Sequence, residues 1–196
     1  MRFRVLLLLG VSANLTMSVP LWAQDSAKVT SPRKNCKVTK EEVEVYTYFL
    51  RGESASSRLT VLVTNTDARN YDVDTLNLQL AAQGHGIPPE LRGDFTDKNE
   101  ISCAIEPLSG IPNIRFISKS ESESIFAAGW KEFHKRYGKD SVLVTVSRVG
   151  FSPDKTLALL HVIEGISHDG VAGELYFLER KNGKWQIRFH RQTVAV

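Results

Sequence analysis

Histidines are the side chains of this chain that most readily take part in catalysis or metal binding. The sequence has five of them: His85, His134, His161, His168 and His190. Zinc-binding motifs place their ligands at short fixed spacings, such as two histidines one helical turn apart. None of the five histidines has a partner at such a spacing, so we predict neither a metal site nor a cofactor.

His161 has the clearest chemical possibility, because it lies in a predicted strand close to Ser147. A tight turn at 152–155 would place His161 opposite Val146 and beside Ser147. Together with Glu174, these residues could act as nucleophile, base and orienting carboxylate. Ser147 lies in mid-strand, however, and lacks the sharp turn that presents a nucleophilic serine. We therefore predict no catalytic residue, and a half-buried His161 that forms a hydrogen bond across the sheet.

Arg148 is the second candidate for chemistry, because a charge in a central strand must be solvated or paired. Its guanidinium could contact an anion in a concave face of the sheet. It could equally form an ion pair with Glu164, Glu174 or Glu179. The sequence leaves both interpretations open.

The segment 165–170 begins and ends with glycine and contains His168 and Asp169. Loops of this kind often carry binding residues, although the same composition suits a hydrophilic hairpin loop. The candidate ligand-binding residues are therefore Arg148, His161, His168 and Asp169.

The first 23 residues have the pattern of a secretory signal peptide. Arg2 and Arg4 precede an apolar run over 5–10, and Ala23 stands before a polar stretch. The run is shorter than the roughly 20 residues that span a bilayer, although an uncleaved anchor helix is the alternative. We expect cleavage after Ala23, a polar lead over 24–38, and a periplasmic or extracellular protein without a stable membrane anchor.

Composition sets further bounds on the mature chain. Loss of Arg2 and Arg4 with the leader lowers the formal net charge from +3 to +1, so we expect no nucleic-acid partner. The remaining length suits one domain, which we place at 39–196. Cys36 and Cys103 are the only cysteines. An even pair in an exported chain predicts a disulfide, with two separate thiols as the alternative.

Hydrophobic periodicity predicts helices first and strands last along the domain. Thr39 and Glu42 form a capping box, which starts a helix that ends at Gly52. Residues 120–137 form the clearest helix, and we interpret its apolar stripe as core rather than as the lining of a cleft. The other early elements are a strand at 59–64, a weak helix at 76–83, a short helix from Pro88 and a strand at 114–118.

Four strands, at 142–147, 156–164, 174–180 and 184–190, are predicted to form an antiparallel meander covered by the helix at 120–137. The dipeptide Asn182-Gly183 predicts the last hairpin. Its register pairs Trp185 with Arg180, Ile187 with Leu178, and Phe189 with Tyr176. These elements predict an α+β fold in which a C-terminal four-stranded antiparallel meander packs against helices, in a cystatin-like or NTF2-like layout.

Residues 125–187 carry three motifs in a fixed order. Gly129 to Tyr137 has the form of a W..F...Y helix, Ser147 to Phe151 reads SRVGF, and Leu178 to Trp185 reads LERKNGKW. This order resembles a group of uncharacterised exported bacterial α+β proteins that share such a helix, an SRVGF strand and an LE(K/R).GKW hairpin. The resemblance implies the fold class and export, and it implies no activity.

Two functions are consistent with these features. The first is a non-catalytic binding or interaction module, whose partner is a protein or small ligand in the envelope. The second is a small-molecule-binding or hydrolytic cone-shaped domain that uses Arg148 and His161. A deep pocket walled by both residues would favour the second function, whereas a filled core would favour the first. The sequence does not indicate an oligomeric state.

Overall fold

The computed structural model describes residues 36–53, 58–68, 73–82, 84–167 and 170–195. The predicted signal peptide, residues 24–35 of the polar lead, and the candidates His168 and Asp169 lie outside these ranges. Within them, no helix is long and apolar enough to cross a membrane.

The described residues contain five α-helices. Their bounds are α1 (Lys40–Glu53), α2 (Val73–Ala81), α3 (Pro89–Lys98), α4 (Lys119–Ala127) and α5 (Trp130–Tyr137). The predicted capping box is confirmed at the start of α1. The Thr39 amide donates to Glu42 Oε2 at 2.8 Å, and the Glu42 amide donates to Thr39 Oγ1 at 3.3 Å.

Seven strands form one mixed sheet. Their bounds are β1 (Thr60–Val63), β2 (Ile114–Ile117), β3 (Val142–Val146), β4 (Gly150–Phe151), β5 (Leu157–Ser167), β6 (Gly170–Lys181) and β7 (Lys184–Ala195). The order is β2-β1-β3-β5-β6-β7, and β4 pairs with β5. Because β1 runs parallel to β2 and β3 while the later pairs are antiparallel, the sheet is mixed. The α+β class and the C-terminal antiparallel meander are confirmed.

Both faces of the sheet are buried. Val45 and Leu50 of α1 pack on the face that contains Val144, Leu160 and Leu178, which we call the α1 face. On the other side, helix α3 packs on Leu159, Leu175 and Phe177, and we call this side the α3 face. Burial on both faces explains why β5 reads as a nearly continuous apolar run rather than as an alternation.

The predicted single helix over 120–137 is in fact two helices. The helical conformation is interrupted at Gly129, whose φ of 83° lies in the left-handed region. Helices α4 and α5 bury Ile125 and Phe133 against Val61 of β1 and Ile117 of β2. They therefore cover mainly the parallel end of the sheet, and α1 and α3 cover most of the meander.

The Asn182-Gly183 hairpin is confirmed, with φ values of 53° and 76°. Arg180 pairs with Trp185 and Leu178 with Ile187, as predicted. The third predicted pair is wrong, because a register shift between Phe177 and Leu178 places Phe189 opposite Phe177 instead. The extra residue of this bulge moves Phe189 to the α3 face, where its ring lies 5.1 Å from that of Phe177.

Candidate functional site

Arg148 follows β3 and forms a buried ion pair with Glu42 of α1. Its Nε and Nη2 donate to Glu42 Oε1 and Oε2 at 2.7 and 2.9 Å. The Glu42 side chain is fully buried, and that of Arg148 is 9% exposed. Sequence reasoning chose the wrong partner set, Glu164, Glu174 and Glu179, because it searched only the sheet. The signal that could have pointed to Glu42 is its capping position.

Glu42 accepts further hydrogen bonds that hold it ionised. The backbone amides of Thr39 and Val149 donate to its two oxygens at 2.8 and 3.1 Å. Burial acts to raise the pKa of Glu42, but the bonds from Arg148 and from these amides outweigh burial. The pKa therefore lies below its ordinary value of 4.5. For Arg148, burial acts to lower the pKa, but the hydrogen bonds and the charge of Glu42 outweigh burial and hold the pKa above its ordinary value.

The predicted pairing of Cys36 with Cys103 is present as a disulfide, with Cα atoms 4.8 Å apart. Arg148 Nη1 lies 3.0 Å from Cys103 Sγ and 3.7 Å from Cys36 Sγ. The Ala104 amide donates to the Cys36 carbonyl at 3.0 Å, so backbone pairing supports the same junction. The disulfide, Arg148 and Glu42 thus form one continuous cluster at the start of α1.

Asn99, which sequence reasoning missed, completes this cluster from the end of α3. Its Oδ1 accepts the Arg148 amide at 2.7 Å, and its Nδ2 donates to the Arg148 carbonyl at 3.1 Å. A buried amide that satisfies both backbone groups of one residue fixes the direction of the chain there. Nothing in the local sequence of Asn99 distinguishes it from an ordinary residue at a helix end.

Ser147 and His161 are neighbours, but they do not form a catalytic pair. Ser147 Oγ donates to the Arg148 carbonyl at 2.8 Å and accepts the backbone amide of His161 at 2.9 Å. The predicted register is wrong by one residue, since Val146 pairs with Val162 rather than with His161. The segment 147–149 leaves the regular strand before β4 begins, and the predicted tight turn at 152–155 did not account for this.

The His161 ring lies on the α3 face and is 3% exposed, so the predicted half-buried histidine is more deeply buried than expected. Its Nε2 is 2.8 Å from Thr193 Oγ1 of β7. Glu174, the proposed orienting residue, pairs with Val162 in register and so lies on the α1 face. There it contacts His190 Nδ1 at 2.9 Å. The triad considered from the sequence is therefore not assembled.

An open cleft of about 320 Å³ lies beside the buried cluster, between the start of α1, helix α3 and the turn after β4. Its lining residues are Thr39, Glu41, Glu90, Asp94, Lys98, Phe151, Ser152, Pro153 and Lys155. Arg148 and His161 are not among them. The cleft is therefore different from the pocket that the sequence would have placed at those two residues.

Two ion pairs line this cleft. Lys98 Nζ donates to Asp94 Oδ2 at 2.7 Å and lies 4.9 Å from the centre of the Phe151 ring. Lys155 pairs with Glu41, and this hydrogen bond lowers the pKa of Glu41 from 4.5 to about 2. The cleft thus offers charges of both signs around one aromatic ring.

Among the described residues, no group of three or more His, Cys, Asp or Glu side chains could hold a metal ion. His134 contacts the backbone instead, with its Nε2 lying 2.8 Å from the Ile166 carbonyl oxygen. His168 and Asp169 lie outside the described residues, so the structure does not place them. They stay predictions of the sequence.

Comparison with known proteins found no match to any family model, curated protein or solved structure. The resemblance to exported bacterial α+β proteins therefore stays a prediction from the motifs. What the molecule does must be inferred from its own geometry.

Proposed function

We propose that the mature chain is an exported, non-catalytic binding module that presents a rigid surface to a partner in the envelope. The observation that carries this proposal is the Arg148–Glu42–disulfide cluster. In this cluster Arg148, Glu42 and the disulfide are joined to one another by buried contacts, so their side chains have a structural role. The pairing of Arg148 with Glu42 favours a structural role over its alternative role as an anion contact.

The disulfide supports the exported location. Disulfides persist in oxidising compartments such as the periplasm or the extracellular space. Cys36 and Cys103 are 67 positions apart, and the chain-entropy account gives about 4 kcal/mol for closing a loop of that length. The predicted signal peptide would direct the chain to such a compartment, where this disulfide can form.

The contacts of Ser147 and of the His161 ring support the non-catalytic part of the proposal. A general base must lie within about 2.6–3.2 Å of the proton that it removes. Ser147 Oγ contacts the backbone amide of His161, whereas the His161 ring contacts Thr193. Ser147 is also fully buried, which denies it a substrate. The Ser147 hydroxyl is best explained as a structural group that forms hydrogen bonds between neighbouring parts of the sheet.

Site-specific photo-cross-linking in cells of the source organism tests the proposal. A photoreactive residue is introduced at one exposed position on each surface: Leu78 of α2, Glu90 of the cleft, Lys131 of α5 and Gln192 of β7. We expect a discrete adduct from one surface, with the other three as controls. Absence of an adduct from all four surfaces, with recovery of turnover products instead, would contradict a binding role.

A second candidate function is the binding of a small polar ligand in the open cleft. The observation that favours it is the pairing of Asp94–Lys98 with Glu41–Lys155 around Phe151, which suits a ligand with charges of both signs. Titration with free amino acids and dipeptides, monitored by NMR, tests it. We expect shifts confined to the cleft that weaken in Lys155→Ala, and Lys131→Ala on α5 is the matched control.

A further inference from the structure

Strand β7 is an edge of the sheet. It ends the strand order, and no strand among the described residues pairs with its outer side. It is also long, running from Lys184 to Ala195, whereas the opposite edge strand β2 has four residues. An edge strand presents a row of backbone N–H and C=O groups that can pair with another extended segment.

One side of this edge is cationic. Arg188 lies over the Phe177 ring at 5.5 Å, and Arg191 pairs with Leu175 in register, so both lie on the α3 face. Lys184 precedes Trp185, which is buried on the α1 face, and therefore lies on the α3 face too. All three are exposed, and residues 184–195 contain no aspartate or glutamate.

We propose that β7 binds an extended acidic segment of a partner protein, which adds to the sheet as a further strand. This inference rests on the proposed binding function and names the surface and the chemistry of the partner. Backbone hydrogen bonds to β7 would supply the affinity. Acidic side chains at alternate positions would lie on one face of the added strand, where they meet Lys184, Arg188 and Arg191.

Charge excludes the two other occupants that the chain itself could provide. A second copy that paired through its own β7 would bring the arginines of both copies together, which is unfavourable for like charges. Residues 24–35 contain Lys28, Arg33 and Lys34 against the single acidic residue Asp25. That segment is therefore basic and would be repelled by the same edge. An acidic segment from another protein is the occupant that fits.

A designed peptide tests the proposal with the purified mature protein. The probe is a ten-residue peptide of alternating threonine and glutamate with a fluorescent label, so that all glutamates lie on one face when it is extended. Its control has the same composition, with four of the five glutamates in two adjacent pairs, so that both faces of the extended peptide carry glutamate. Fluorescence anisotropy measures both dissociation constants. We expect the alternating peptide to bind at least about tenfold more tightly than its control.

Two protein variants test the role of the cations. Arg188→Gln/Arg191→Gln removes two charges from β7, and Lys131→Gln/Lys135→Gln removes two exposed charges from α5 as the matched control. We expect the β7 variant to bind the alternating peptide about tenfold more weakly, and the α5 variant to bind like the wild type. Circular dichroism establishes that both variants are folded. An equal loss in the two variants would overturn the proposal.

N-methylated peptides separate strand addition from general attraction between charges. A peptide that joins an edge uses the amides of only one of its own edges, which are those of alternate residues. We therefore expect methylation of one alternate set to abolish binding and methylation of the other set to leave it unchanged. Equal binding of both methylated peptides, or no binding of the original peptide, would overturn the inference. Cross-linking from a surface other than β7 would then still support the proposed function.

Discussion

Arg148 Nη1 lies 3.0 Å from Cys103 Sγ, so a single guanidinium joins the disulfide to the carboxylate of Glu42. This contact connects three distant parts of the chain: the segment before α1, the loop after α3 and the end of β3. The start of α1, and with it one wall of the open cleft, is fixed by this connection. Substitutions in the cluster are therefore expected to act on stability before they act on binding.

Loss of the Glu42 charge should be strongly destabilising. Glu42→Gln leaves the buried Arg148 guanidinium without its counter-ion, and breaking a buried pair in this way costs about 3–5 kcal/mol. Glu106→Gln is the control, because its pair with Lys37 is more than 70% exposed on both sides and should contribute little to the free energy of unfolding. Urea denaturation measures both. Equal effects of the two substitutions would show that the buried pair has no special role.

The same carboxylate predicts the direction of acid denaturation. The pKa of Glu42 in the folded protein lies below 4.5, its ordinary value and the reference for the unfolded chain. The folded state thus binds fewer protons, and this contribution is fully present above pH 4.5 and is lost as the pH falls through the folded pKa. The urea midpoint is measured from pH 7 downwards. Below pH 4.5 it should fall more steeply with pH in the wild type than in Glu42→Gln. Parallel curves would contradict the assignment.

Removal of the disulfide should lower the free energy of unfolding without changing the fold. For Cys36→Ser/Cys103→Ser we expect a loss of about 4 kcal/mol, since the unfolded chain regains the entropy of an open loop. Urea denaturation with and without reductant measures the loss. The double variant should be insensitive to reductant. A wild-type protein whose stability is the same in both conditions would rule out the bond.

Ser147 should behave as a structural hydroxyl rather than as a nucleophile. A serine-reactive phosphonate probe should leave the wild-type protein unlabelled. Ser147→Ala should destabilise by about 1–3 kcal/mol, because the buried amide of His161 loses its acceptor. The exposed Ser124→Ala is the control and should change stability by less than about 0.5 kcal/mol. Labelling that disappears only in Ser147→Ala would instead indicate catalysis.

Two glycines should respond in opposite directions to the same substitution. A Cβ at Gly150 would lie 2.5 Å from Phe95 Cβ and 2.7 Å from Phe95 Cα, where α3 meets β4. Gly150→Ala should therefore destabilise by about 3 kcal/mol through overpacking. Gly93 is within α3 and has no atom within 4 Å of a built Cβ, so Gly93→Ala should stabilise by about 0.5–1 kcal/mol. Thermal melting compares them, and a tolerated Gly150→Ala would contradict the close approach.

Much of the fold could be predicted from local signals in the sequence. The capping box at Thr39 and the Asn182-Gly183 turn depend on neighbours within a few residues, and both are confirmed. The parallel pairing of β1 with β2 and β3 was missed, because it joins segments separated by long stretches of chain. The bulge beside Phe177 was also missed: it places Phe189 in the cluster that packs against α3, which the residues of the hairpin turn do not specify.

The site was harder to predict than the fold. Arg148 was correctly singled out as a charge that needs a partner, but Glu42 lies 106 positions away and on a helix. Asn99 carries no sequence signal, because its role appears only when α3 docks beside the end of β3. The disulfide was predictable from the even number of cysteines together with the expected export of the chain. Other contacts between residues that are far apart in the sequence could not be predicted from it.

Fractionation of cells of the source organism, combined with differential alkylation of cysteines, tests the central claim most directly. An exported, oxidised binding module should be recovered in the envelope or the medium, with its amino terminus near Gln24. Cys36 and Cys103 should resist alkylation until a reductant is added. Recovery of the full-length chain in the cytosol, with Met1 attached and both thiols free to react, would contradict the account.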